Sequence, residues 1–207
     1  KTSLVQRITT DLLGRRSLVR LAPPRSGSID PEALREAFAE AAGLQGSLDD
    51  ICRHLPEDAV VVIDDLELWW ERSAGGMRTV DAIADLIAQH GGRTLFVLAV
   101  GAQAYTFISR FRSLGDDALA LIECGPLPAE ELKTIITLRH GSTGLAFELD
   151  GKDEDQLTEL SLARLFSRHF DYARGQVGAA LRSWVAHVSK VQSSTLVIAK
   201  PSVRDWE

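Results

Sequence analysis

Residues 59–65 read AVVVIDD, and no other stretch of the chain limits the fold so tightly. Five apolar residues without a polar interruption, four of them β-branched, describe a strand covered on both faces rather than one half open to water. Such a strand needs helices above and below it, and the flanking sequence alternates accordingly. SLVRLAPP (17–24) is a short buried strand stopped by prolines, and TLFVLAVG (94–101) is another. DPEALREAFAEAAGL (30–44) is a helix with Asp30 as N-cap, Pro31 in its first turn and Gly43 at its end. SLDDICRHL (47–55), GMRTVDAIADLIAQHGG (76–92) and AYTFISRFRSL (104–114) are further helices, and ALALIECG (118–125) a further strand. At the front, Leu4, Val5, Ile8, Leu12 and Leu13 share one helical face, with Gly14 as its stop. Alternation of this kind predicts a parallel sheet with helices on both faces.

Beyond Gly125 the pattern changes. LPAEELKTIITLRH (127–140), DEDQLTELSLARLFSRHF (153–170) and QVGAALRSWVAHVSKV (176–191) carry helical periodicity. In the last, Val177, Leu181, Trp184, Val185, Val188 and Val191 fall on one face. The expectation is an α/β core over 1–125, a helical subdomain over 126–192 and a C-terminal strand or tail over 193–207, whose STLVIA (194–199) has no evident partner. DGKDED (150–155) reads as a charged turn.

A chain of 207 residues with 45% hydrophobic and 25% charged residues is long enough for a sizeable core. No apolar run approaches the length needed to cross a bilayer, and the front does not resemble a signal peptide, so a cytoplasmic location without membrane insertion is expected. The net charge of −6 argues against a chain that coats nucleic acid non-specifically. Cys52 and Cys124 lack metal-ligand spacing and are expected to be reduced thiols in the core or at a strand end.

The chemistry concentrates where the apolar run stops. Asp64 and Asp65 would lie at the carboxyl end of a parallel strand, where open α/β sheets bind ligands. In phosphate-handling proteins the first acid holds the hydration shell of magnesium and the second orients the attacking water. Two aspartates also suit a plain strand end and turn, and the run by itself leaves both readings open. The opening KTSLVQRI (1–8) matches the last two positions of G-x-x-x-x-G-K-[ST] and the helix that follows. In that loop backbone amides cradle phosphates, the lysine reaches the terminal ones and the hydroxyl ligates magnesium. Its glycines, and the strand feeding them, would then lie upstream of Lys1.

With this order of loop, strand, acid-bearing strand, further strand and helical region, the chain resembles the AAA+ family of P-loop ATPases from Lys1 to about Val191. The resemblance implies a parallel P-loop NTPase sheet sandwiched by helices and a C-terminal helical lid, with ATP and Mg2+ as cofactors. Lys1 and Thr2 would bind nucleotide, Thr2 and Asp64 would serve the metal, and Asp65 would be catalytic. ISRFRSL (108–114) stands where the family carries an arginine finger that reaches a neighbour's nucleotide, which makes Arg110 and Arg112 candidates; they equally suit a solvated helix face. CGPLPAEEL (124–132) is similar to the start of the lid, and RGQVGAAL (174–181) to its second sensor region.

Departures from the family pattern bear on the activity implied. Asp65 replaces the usual Glu and is one methylene shorter, and a displacement of about 1 Å in a positioning group costs roughly 100-fold in rate. Slow hydrolysis is expected. Gly101 cannot act as the polar phosphate sensor, for which Gln103 is a substitute, and Gly178 stands at the sensor arginine, leaving Arg174 and Arg182 as stand-ins. The Asp-Asp pair also occurs in replication initiators and in STAND signalling ATPases, which favours a nucleotide switch over a motor. A homo-oligomer or a protein partner is implied, nucleic acid only through regions outside this chain. Alternatives are a STAND-like signalling module and a catalytically inactive interaction domain of the same fold. Trp69 and Trp70 are expected to pack over the sheet edge, Arg139 and His140 to complement a helix carboxyl end, and His169 to be an ordinary helix residue.

Overall fold

Val60, Val61, Val62 and Ile63 are all buried, at most 2% exposed, and they form the middle strand of the first sheet. The computed structural model describes residues 2–13, 15–23, 29–116 and 118–201, Thr2, Ser3 and Leu12 only through their backbone; Lys1 lies outside the described residues. The chain divides into two compact units, residues 1–123 and 124–207.

In the first unit α1 (Thr2–Arg7) runs into a π-helical turn (Ile8–Leu12), followed by β1 (Leu18–Leu21), α2 (Pro31–Ala42), α3 (Leu48–His54) and β2 (Val60–Ile63). A 3-10 turn (Leu66–Trp69), α4 (Arg78–His90), β3 (Leu95–Leu98) and α5 (Ala102–Ile108) complete it. The strands are parallel in the order β1-β2-β3, with Arg20 in register with Val62, and Val62 with Val97. The strand period of two sends Val61 and Ile63 into one core with Leu34 and Phe38 of α2, Ile51 of α3 and Ile83 of α4. Val60 and Val62 go into a second with Val5 of α1. Helices therefore cover both faces. Their ends follow local chemistry: Asp30 accepts from the Ala33 amide at 2.9 Å, and Gly43 closes α2 with φ +65°. Ser47 and Asp50 form a capping box at α3. Trp69 is wholly buried, while Trp70 packs on Phe107 with ring centroids 4.9 Å apart.

One expected strand is absent. Residues 118–123 enter no sheet, and Leu119, Leu121 and Ile122 are 95%, 67% and 66% exposed. Their alternation suits a strand, but a strand exists only against an edge that receives its hydrogen bonds. Among the described residues nothing pairs with the outer edge of β3, whose residues are accordingly all half-buried.

The second unit adds strands to the helical subdomain expected over 126–192. It contains α6 (Ala129–Gly141), β4 (Ala146–Leu149), β5 (Lys152–Asp153), a 3-10 turn (Glu154–Gln156), α7 (Glu159–Ala173), α8 (Val177–Ala186), β6 (Val188–Gln192) and β7 (Thr195–Ile198). The four strands form a sheet in the order β5-β4-β7-β6, so residues 195–198 pair with both β4 and β6. The periodic helix over 176–191 breaks at His187, and Val188–Gln192 becomes a strand because β7 offers it an antiparallel edge. Residues 150 and 151 form a two-residue hairpin turn with φ +54° and +75°, the Asp-Gly chemistry of a left-handed turn. Lys200 pairs with Asp150 beside it.

Trp184 of α8 organises the second core. Phe166 stacks on its ring at 5.8 Å, Phe147 meets it edge-on at 5.4 Å, and His140 and His169 lie at 5.6 and 5.4 Å. His140 lies in the last turn of α6, as expected, and is at the same time a core residue at 6% exposure. Each aromatic pair is worth roughly 0.5–1.5 kcal/mol beyond its area. His169 is wholly buried and bonds the Ser183 hydroxyl at 2.8 Å through Nδ1. The thiols divide: Cys52 is free and buried, its pKa pushed up to about 11 by burial and by the Asp49 charge, whereas Cys124 is free and exposed in a segment that forms no strand.

His169 links this core to pH. Burial, reinforced by the charge of His187, depresses its pKa from 6.5 to about 4. Unfolded chains take up a proton here below about pH 6.5 that the folded unit refuses. The second unit is therefore expected to lose about 3 kcal/mol of stability as pH falls from 6.5 towards 4, with no contribution from this residue above 6.5. Urea unfolding over a pH series checks this. The loss should be clearly smaller in His169→Asn.

Candidate functional site

The sequence delivers two acids to the end of β2, and the neighbouring strand fixes what happens to the chain after them. The Ala99 amide donates to the Ile63 carbonyl and the Leu66 amide donates to the Ala99 carbonyl, both at 2.9 Å, so the turn carrying Asp64 and Asp65 is tied to the end of β3. A third tie comes from Glu67, whose Oε2 accepts from the Gly101 amide at 3.2 Å. A Cβ at position 101 would stand 3.2 Å from Glu67 Oε1, so glycine there lets the carboxylate sit against the backbone. Glu67 and Gly101 thus act together.

To make this turn Asp65 takes a left-handed conformation, φ +51° and ψ +53°, and caps the 3-10 turn that follows. Aspartate tolerates that region better than most residues, at a cost of about 1 kcal/mol. Asp64 stays close to the sheet, its side chain 15% exposed. Its Oδ2 lies 3.5 Å from Nε of Arg20, which projects from β1, while Oδ1 is buried with no hydrogen-bond partner among the described residues. A buried carboxylate oxygen without a donor is costly unless an ordered water molecule or a cation satisfies it. That lone oxygen fits a hydrated divalent ion, which would engage Asp64 through it. Among the described residues no group of three or more His, Cys, Asp or Glu side chains forms a metal cluster.

Other candidates take distinct places. Gln103 is exposed in the first turn of α5, two residues after Gly101. Arg110 is exposed, with no ion-pair partner among the described residues, whereas Arg112 pairs with Asp85 of α4 at 2.7 Å. Thr2 begins α1. Lys1, the residue on which convergence with the acids depends, lies outside the described residues. In the second unit Arg174 caps α7 in a left-handed conformation, φ +48°, and lines an open groove of about 510 Å3 with Pro126, Leu127, Pro128, Phe170 and Asp171. Arg182 is exposed on α8. Arg20 and Glu67 escaped the sequence reading. Arg20 interrupts a short apolar strand and could have been noticed as a cation in register with the acid strand; Glu67 carries no local signal of its contact with position 101.

A three-stranded parallel sheet with helices on both faces and acids at the carboxyl end of its middle strand fits an α/β P-loop NTPase fold. No family model matches the chain, and no curated protein matches it. Among solved structures, three variant forms of RuvB from Thermotoga maritima are similar, at 14%, 13% and 15% identity and TM-scores of 0.44, 0.45 and 0.41. The similarity covers 91%, 95% and 95% of this chain and 62%, 65% and 64% of those structures. The chain therefore spans less than two thirds of their length. Among the described residues no helix is long and apolar enough to cross a membrane.

The conformation of Asp65 has a direct consequence for stability. Asparagine tolerates the left-handed region as aspartate does, so Asp65→Asn is expected to lower the urea midpoint less than Asp65→Ala does. Asp65→Ala is expected to cost about 1 kcal/mol.

Proposed function

We propose that this chain is the nucleotide-handling part of an AAA+-type ATPase that binds Mg-ATP, hydrolyses it slowly and uses the nucleotide state as a conformational switch. The observation that carries the reading is the end of β2, where Asp64 and Asp65 leave a fully buried parallel strand and Asp64 keeps one buried oxygen unpartnered. The outer edge of β3, unpaired among the described residues, is compatible with it. A further parallel strand added there, of the kind that feeds a phosphate loop, would let residues 118–123 join the sheet that their alternation suits.

Each residue has a stated task in this reading. Lys1 neutralises the terminal phosphates, and the Thr2 hydroxyl and Asp64 hold the magnesium ion and its water shell. A bound magnesium ion would supply charge neutralisation across the transferred phosphoryl group. Asp65 orients the attacking water, and its short side chain keeps turnover low. Gln103 serves as the phosphate sensor, and Arg174 and Arg182 are the candidates for the second sensor cation. Of the two finger candidates Arg110 is favoured, since Arg112 is engaged by Asp85; a homo-oligomer would use Arg110 across its subunit contact.

A second reading, an interaction or signalling domain that does not turn nucleotide over, is favoured by one observation. Position 101 offers no side chain, and its amide is already taken by Glu67. Calorimetry and turnover assays on the full-length protein separate the two. Lys1→Ala is expected to abolish ATP binding, while Asp65→Asn keeps the affinity and lowers turnover on the order of 100-fold. Equal turnover in the wild type and both variants removes the ATPase reading, and absence of nucleotide affinity in the wild type selects the interaction domain.

A further inference from the structure

Arg20 sits where an ordinary strand residue would be apolar or uncharged. In β1, Val19 and Leu21 point into the core at 4% and 1% exposure, and Leu18 and Arg20 point to the other face. Arg20 is in register with Val62, two residues before Asp64, and its side chain, 39% exposed, carries the guanidinium to 3.5 Å from Asp64 Oδ2. Among the described residues this is the ion-pair partner of that carboxylate. Among the described residues Asp64 is thus half compensated: Oδ2 lies beside the guanidinium, and Oδ1 is buried without a hydrogen-bond partner.

Two cations cannot share this carboxylate without cost. Any divalent ion drawn to Oδ1 would feel the charge of the guanidinium beside Oδ2, an effect that salt reduces because the Arg20 side chain is 39% exposed. The same arginine that stabilises Asp64 in the absence of metal therefore opposes the metal. We propose that Arg20 is a resident counter-ion that competes with the divalent cation for Asp64, and so sets how strongly nucleotide binding depends on that cation. The proposal rests on the nucleotide reading above. It gives the switch a physical form: the carboxylate is held by the neighbouring strand until a metal-bearing nucleotide arrives, and charge from the strand limits how tightly that nucleotide is kept.

The test is the ratio of affinities for a fluorescent ATP analogue measured with Mg2+ and with EDTA, in the full-length protein. Arg20→Gln, which keeps a donor and removes the charge, is expected to raise the ratio about fivefold, and less so at about 0.5 M salt. Arg20→Lys, which keeps the charge, should stay within about twofold of wild type. Combining Arg20→Gln with Asp64→Asn should erase the gain, because the two residues act on one interaction. Arg20→Met provides a second neutral side chain, and urea midpoints report whether each variant folds. A ratio that is unmoved or lowered in the folded Gln and Met variants overturns the proposal, as does a gain that survives Asp64→Asn. Absence of analogue binding in the wild type, with and without Mg2+, overturns the nucleotide reading and this inference together. Binding in the wild type with an unmoved ratio overturns the inference alone.

Discussion

The pairing of β2 on both its edges is the constraint from which the first unit is built. Four fully buried residues in a row can be accommodated only if neighbouring strands take their backbone groups and helices cover both faces. β1 and β3 supply the edges, α2, α3 and α4 cover one face, and α1 covers the other. Once the sheet is parallel, its carboxyl edge gathers the ends of three strands. The residues following them, which are far apart in the chain, become neighbours there.

What the edge gathers is a small set of charges held by backbone ties. The bonds from Leu66 to Ala99 and from Gly101 to Glu67 make the turn after β2 and the turn after β3 a single piece. Asp65 accepts a left-handed backbone as part of that turn, and Asp64 remains against the sheet beside Arg20. A left-handed backbone and a half-compensated carboxylate thus meet at one place on the carboxyl edge of the sheet. Elsewhere in the first unit α2 and α3 are capped by side chains, while Trp69 Nε1, Thr94 Oγ1 and Ser109 Oγ are also buried without hydrogen-bond partners among the described residues.

The second unit rests on a different principle. Its core is organised by one indole, with phenylalanines and histidines from α6, β4 and α7 packed round Trp184. His140 Nε2, His169 Nε2 and Trp184 Nε1 are buried without hydrogen-bond partners. Aromatic packing has to outweigh that desolvation, which runs to about 1–3 kcal/mol per group. The result is a core whose stability is tied to the neutral state of His169.

The sequence by itself determined the elements whose cause is local. The continuous apolar run of β2, the Asp30 and Ser47 caps, the Gly43 stop and the acids at the strand end each depend on residues within one turn or one strand, so their periods and capping chemistry are visible in order along the chain. Tertiary structure decided the rest. Helical periodicity continued through Val188 and Val191, yet β7 supplied an edge and the segment became a strand; ALALIE alternated like a strand, yet no edge received it. The 146–149 strand, the partners of residues 195–198 and the meeting of Arg20 with Asp64 likewise depend on contacts between residues distant in sequence. A strand's hydrogen bonds and an ion pair's partner are supplied by another part of the chain, so neither is encoded in the segment that receives them.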